Sequence, residues 1–409
     1  TVPGRAILFA TTMPLAGDAL GLLVKSYEGR PIKIEGNPDH PTTPRAPGAP
    51  ETARYGPTDV FAQASLLSLY DPQRLGTVQH LGHISTWDTF QAALAQRLRE
   101  RAERTRLRVL TEAVTSPSQA FLLERLRQRL PNARWHVWEP TASTNAREAF
   151  AQPVELHYRL EEADVIVALD ADVLSEGPRA VRYQHDFASR RRVRQGRYER
   201  MNRLYAIESM PTGTGAIADH RVPLRARDVA TFARALAAQL DARFRSLADG
   251  GALPVSAAWL EALRRDLLAH RGTSLILAGP GQPPFVHALV HAMNDFLGNV
   301  GRTVVTTRPA TIEPEQGTLR TLVRDMEAGE VDALLILGGN PVYTAPADLA
   351  FAEHLERVPF RAHLSLYANE TSAACYWQLP EAHFLESWGD ARAHDGTLSL
   401  VQPLIAPLR

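Results

Sequence analysis

One run of residues does most to restrict the fold. Ala163-Asp164-Val165-Ile166-Val167-Ala168-Leu169 is almost unbroken apolar sequence, and Asp170-Ala171-Asp172 follows it at once. A short strand with no polar face must be covered on both sides, the condition met in a parallel sheet between layers of helices. Shorter runs of the same kind recur at Arg108–Thr111, Trp135–Trp138, Leu204–Ile207, Thr273–Gly279, Val304–Thr306 and Ala333–Leu337. Between them the apolar residues fall at helical spacing, over Trp87–Arg106, Arg225–Asp241, Phe285–Phe296 and Leu319–Ala328. Ser116-Pro117 has the chemistry of an N-cap followed by a first-turn proline. Alternating strands and helices predict an α/β protein with two doubly wound, Rossmann-like parallel-sheet domains.

The first residues read differently. Ala6–Ala10, Gly21–Tyr27 and Ile32–Ile34 are strand-like, Glu28–Pro31 is a turn, and the Pro/Gly-rich stretch from Gly36 to Pro57 is loop. With 409 residues the chain is long enough for two or three packed units. The expected division is an N-terminal mostly-β/loop segment over 1–75, a first α/β domain over 76–250 and a second over 251–409. Ala248–Gly251 is the expected linker, and the last domain is expected to be incomplete at its C-terminal end. Thr1-Val2-Pro3-Gly4 lacks an initiator Met, so the chain reads as part of something longer.

Composition removes several classes of function. Lys+Arg and Asp+Glu both number 45, which argues against a dedicated nucleic-acid binder. There is one cysteine, Cys375, so neither an internal disulfide nor a four-cysteine iron–sulfur or cysteine-based zinc site can form within these residues. Cys375 stands beside Tyr376 and Trp377, as an inert buried thiol would. No apolar run reaches the roughly 18 residues a membrane-spanning helix needs.

The strand ends hold the candidate sites, because ligands of open α/β sheets bind outside the carboxyl ends of strands. Gly338-Gly339-Asn340-Pro341 follows a buried strand. It can bring backbone close to a phosphate or a base, or it can be a plain strand-to-helix turn. Gly279–Pro284 is neither GxGxxG nor a P-loop, and its prolines remove donors that a phosphate cradle would use. Asp170 and Asp172 could bind a cation or serve as acid and base, would repel a phosphate, and otherwise read as solvated turn acids. His383, Glu386, Asp390 and His394 are metal-competent but lack HExxH spacing, and read as surface polar residues. The run Arg190-Arg191-Arg192-Val193-Arg194, with Arg197 and Arg200, can face an anionic partner or be a solvated connection. No nucleophile elbow, Ser-His-Asp pattern or kinase motif is present, so no catalytic residue and no metal ligand is expected.

Several phrases in order resemble the molybdopterin oxidoreductase family. They are Gly29–Pro41, Leu69–Arg74, Asn294–Gly301, Gly338–Pro341, and Leu379-Pro380 with Glu386 and Gly389. Asp59–Ser65, Met201–Tyr205, Asn340–Asp348 and Glu386–Asp390 are most similar to the family's cofactor-free members in alternative complex III, a bacterial quinol-oxidising respiratory complex. The resemblance implies a non-catalytic scaffold domain that has lost its molybdopterin. Iron–sulfur clusters would be carried by a downstream domain. Partners would include multihaem cytochrome and quinol-oxidising membrane subunits, at the periplasmic face of a bacterial membrane. It also implies a vestigial pterin-nucleotide cleft formed by Gly338, Gly339, Asn340, Pro341, Thr212, Thr214 and Asp219.

Departures from the family pattern agree with that loss. Asp170-Ala171-Asp172-Val173 replaces a Gly-Ala-Asn-Pro-like turn, and Glu208-Ser209-Met210 replaces an Asp-Pro-Arg triplet. The N-terminal cluster cysteines are absent. An arginine lost and carboxylates gained disfavour a pyrophosphate. The rival readings are an active molybdenum–pterin oxidoreductase using the same loops, and a nucleotide-binding module. The Pro-rich stretch 41–57 and the Arg190–Arg200 run are the expected contact surfaces.

Overall fold

Two tight turns shape the first sheet. Ala16-Gly17 and Glu28-Gly29 all have positive φ, the geometry that joins twisted strands with a two-residue loop. They connect β1 (Ile7–Leu15), β2 (Asp18–Tyr27) and β3 (Arg30–Gly36) into an antiparallel meander. The computed structural model describes residues 3–44, 54–100, 104–141, 148–150, 154–192, 201–247, 255–309 and 317–408. The expected linker at 248–251, Arg194, Arg197 and Arg200, and the middle of the Pro-rich stretch lie outside them.

Along the chain follow β4 (Gln79–His80), β5 (His83–Ile84), β6 (Leu107–Thr111) and β7 (Arg134–Val137). Next come β8 (Glu155–Tyr158), β9 (Val165–Leu169), β10 (Arg203–Glu208), β11 (His220–Pro223), β12 (Ser274–Ala278) and β13 (Val304–Thr307). The last are β14 (Ala333–Leu337), β15 (Arg361–Ser365), β16 (Trp377–Pro380), β17 (Gly389–Arg392) and β18 (Leu398–Val401). One sheet has the order β11-β10-β9-β12, all parallel. The other is seven-stranded, β5-β4-β16-β15-β14-β6-β7, and parallel from β16 to β7. The molecule is therefore an α/β protein with parallel sheets covered by helices, as expected.

The expected division at 250/251 does not describe how the strands pair. In the seven-stranded sheet β14 lies between β15 and β6, so Leu334 aligns with Arg108 on one side and Arg361 on the other. The four-stranded sheet is an insertion between β7 and β14. Likewise the segment 1–75 is not a unit alone: Leu385, Leu404 and Ile405 pack on Leu22, Val24 and Ile34, and Ala391 and Val401 join Ala19. Periodicity is a local signal and reports a strand's existence. It carries nothing about which distant strand completes the pair.

Burial explains the apolar runs. Along β9, Val165, Val167 and Leu169 enter a core with Phe232, Leu236, Leu263 and Met293, while Ile166 and Ala168 enter another with Leu160, Phe187 and Leu275. Both faces are core, so neither can carry a polar residue. Ser116 caps the helix Pro117–Arg129 by accepting from Gln119 N, with the proline in its first turn.

The edge strand β12 is finished by a side chain. Asn294 Oδ1 accepts from Ile276 N at 3.0 Å, and its Nδ2 donates to Ile276 O at 2.8 Å. The amide thus stands where a further strand would be. Asn299 Nδ2 donates to the same Oδ1 at 2.9 Å and fixes the amide's orientation.

Candidate functional site: two strand-end crevices

The first crevice lies beyond the carboxyl ends of β9, β10 and β12. After Leu169 the backbone turns sharply at Asp170, whose φ is 52°. The loop after β12 passes so close that a Cβ on Gly279 would overlap Asp170 O. Asp170 Oδ1 accepts from Ser209 N and Ser209 Oγ, both at 2.9 Å, and Oδ2 accepts from Gln282 Nε2 at 3.2 Å. Asp172 Oδ1 accepts from Thr214 N at 2.8 Å. Thr214 Oγ1 accepts from Leu174 N at 3.1 Å. Glu208 is buried, accepts from Thr212 Oγ1 at 2.6 Å and pairs with Arg221. Thr212 Oγ1 also caps the short helical turn by accepting from Gly215 N at 3.0 Å.

Asp170 and Asp172 are therefore not solvated turn acids. Together with Glu208 they take the donors of the next loop, Ser209 N, Thr214 N, Thr212 Oγ1 and Arg221. These are the groups an anionic ligand would need. A pyrophosphate would have to displace three carboxylates and would meet their like charge, so the residues present do not fit such a group.

Asp219 is not part of this crevice. It accepts from Leu204 N at 2.8 Å and pairs with Arg191, near the start of β10 and at the opposite edge of the sheet. The parallel alignment of Tyr205 with His220 puts it there. Arg190 is likewise engaged, with Asp164, so this part of the basic run is tied to the protein rather than solvated.

The second crevice lies beyond β6, β7, β14 and β16. Gly338 and Gly339 have φ of 79° and 70°, a conformation that excludes most side chains. The buried ring of His363 supports the turn from below, Nε2–H donating to Gly339 O at 3.1 Å and Nδ1 pairing with Ser372 Oγ at 2.8 Å. Burial lowers His363 to about 4, so the ring is neutral. Asn340 Oδ1 accepts from Thr371 Oγ1 at 2.8 Å, and Nδ2 donates to Glu370 at 2.6 Å. Glu112 lies over the two glycines, and Trp138, Pro140, Pro341 and Thr344 complete the walls. Glu112 keeps an open side to water, yet the protein packed around it, aided by Glu139, pushes its carboxyl up to about 7. Burial, then Glu112, pushes Glu381 up to about 7 as well.

The structure thus groups Gly338–Pro341 in one crevice and Thr212 with Thr214 in the other. Among the described residues no hydrogen bond links the two sets. Glu112, Glu381 and His363 were not legible as site residues, although Glu112 follows Thr111 as Asp170 follows Leu169, and the same strand-end rule applies to both. The other candidates are scattered. His383 and Glu386 are buried rather than surface residues, Asp390 holds Ser116 and Ser118, and His394 pairs with Asp18. Cys375 is buried, which pushes its thiol up to about 12. Among the described residues, no three or more His, Cys, Asp or Glu side chains are arranged to hold a metal ion.

This arrangement of parallel sheets and helices is similar to the molybdopterin oxidoreductase fold. Acetylene hydratase from Pelobacter acetylenicus shares it, with a TM-score of 0.70 over 97% of this chain and 67% of that one, at 12% identity. In sequence the chain is 24% identical, over its whole length, to the menaquinone reductase, molybdopterin-binding-like subunit, of Nitratidesulfovibrio vulgaris (strain Hildenborough). It spans 63% of that relative's length. No family model matches the chain. The chain thus shares the fold of a molybdopterin oxidoreductase and is similar in sequence to a protein named as a menaquinone reductase subunit.

Proposed function

We propose that this chain is a cofactor-free scaffold subunit of a quinone-linked respiratory complex of the alternative complex III kind. The observation that carries the reading is the first crevice, where Asp170, Asp172 and Glu208 occupy the donors that a pyrophosphate would require. The relative named as a reductase subunit supports a multi-subunit assembly. Electron carriers, including iron–sulfur clusters, belong in this reading to other parts of the protein or to haem-bearing and quinol-oxidising partners. The direction of the quinone reaction does not alter the role of a chain that holds no redox group. Among the described residues no helix is long and apolar enough to cross a membrane. Attachment to the periplasmic face would then run through partner subunits.

Molybdenum, iron and pterin assays on the native complex test the reading. The expected result is no molybdenum and no extractable pterin nucleotide from this subunit. Stoichiometric amounts of both would overturn it.

A contact surface also supports a scaffold. The helix Val60–Tyr70 has no charged residue and no separate polar face, with Val60, Phe61 and Leu67 at 70%, 68% and 76% exposure. Such a helix is ordinarily buried. It lies beside the described ends of the Pro-rich stretch. Phe61→Ser with Leu67→Ser should leave the isolated subunit's unfolding midpoint nearly unchanged, because surface substitutions cost within about 0.5 kcal/mol. The same pair should lower its recovery in the purified complex. Undiminished recovery would remove this face from the assembly.

A further inference from the structure

We infer that the Glu112 side chain is a built-in occupant of the Gly338–Gly339 crevice, and that it keeps phosphate-bearing nucleotides out of a turn still shaped to receive one. The inference deepens the cofactor-free reading and rests on it. A Cβ added at Gly338 would come within 3.2 Å of Glu112 Oε2, and one at Gly339 within 3.1 Å of Glu112 Cγ. The bare faces of both glycines are therefore turned towards this one side chain. Their shape does not depend on it: His363 holds Gly339 O, and Asn340 is held by Thr371 and Glu370. Glu112 returns no hydrogen bond to the turn.

A crevice at the carboxyl edge of a parallel sheet, with two left-handed glycines, suits the close approach of a nucleotide. The carboxylate blocks it in two ways. Its bulk fills the space against the glycines, and its charge opposes a phosphate. The other charged groups nearby do not offset that charge. Glu139 follows β7, Glu381 follows β16, and Glu370 is engaged with Asn340. Arg74 approaches Glu381 but pairs with Glu386 at 2.6 Å. The two carboxyls pushed up to about 7, Glu112 and Glu381, become neutral together on mild acidification.

Equilibrium dialysis of the full chain with GDP and with ADP, at pH 8 and pH 5.5, tests this on the native protein, Glu112→Ala and Glu112→Gln. Thermal unfolding confirms that each variant is folded. At pH 8, Glu112→Ala is expected to bind at least one nucleotide about tenfold or more tighter than the native chain, and Glu112→Gln to fall between them. The native chain should gain affinity at pH 5.5 relative to Glu112→Gln, which lacks the titrating charge. A folded Glu112→Ala that binds no better than the native chain overturns the inference and leaves the cofactor-free reading standing. If that variant does not fold, equal binding of native chain at the two pH values, after subtracting the Glu112→Gln change, overturns it instead. Pterin recovered from the native complex would fell the cofactor-free reading on its own evidence.

Discussion

Replacing Arg74 by methionine should lower the stability of the chain by about 3–5 kcal/mol, because it strands a carboxylate in the interior. Arg74 and Glu386 side chains are both fully shielded from solvent. The guanidinium meets both carboxylate oxygens, at 3.0 and 2.6 Å, and also donates to Leu69 O at 3.0 Å. Glu386 in turn accepts from His383 N at 2.8 Å and Leu408 N at 2.9 Å. One ion pair therefore ties the helix Val60–Tyr70 to the C-terminal segment that completes the meander. Burial alone would raise the Glu386 carboxyl, but Arg74 and the two backbone donors hold it below its ordinary 4.5. A lowered carboxyl stabilises the fold above that value, and the contribution disappears as pH falls through the folded-state pKa. Urea unfolding at pH 7 measures the loss. Arg74→Met with Glu386→Leu should recover most of it, since an apolar pair removes the unpaired charge. A loss under about 1 kcal/mol for the single variant would show that water reaches Glu386.

Asn294→Ala should cost about 2–4 kcal/mol, because it leaves both backbone groups of buried Ile276 without partners. Native-state hydrogen exchange reads the effect at a named atom. The Ile276 amide, protected by Asn294 Oδ1 at 3.0 Å, should lose protection disproportionately to the rest of β12. Neighbouring amides, which face β9 in the ladder, should change only with global stability. Uniform loss along β12 would mean that the side chain acts through packing rather than by closing the sheet edge.

Much of this architecture is legible in the residues. The β9 run reads as a doubly covered strand because both its faces enter core. Ser116-Pro117 reads as a helix start because capping is local chemistry. What escapes is whatever depends on pairing across hundreds of residues. Asp219 resembles a cleft residue until the parallel alignment of β10 and β11 carries it to the far edge. Glu112 looks like an ordinary charge after a strand until β14 is laid beside β6 and the two glycines arrive beneath it. His383 and Glu386 look like surface polar residues until Arg74 is seen to bury one of them. Side chains that take up the donors of a ligand site have no periodicity, so no window of sequence reveals them.

The insertion between β7 and β14 sets an order of events during synthesis. A ribosome delivers β6 and β7 early, but the strand that must lie against β6 emerges only after the whole four-stranded sheet. The inserted sheet can close as soon as β12 and its capping Asn294 are clear of the exit tunnel. Through that interval β6 offers an unsatisfied strand edge rich in apolar residues, the kind of surface that recruits wrong partners. The nascent chain is thus most in need of a chaperone between the emergence of β12 and that of β14. Slowing translation after β12 should lengthen that exposure and lower the soluble yield.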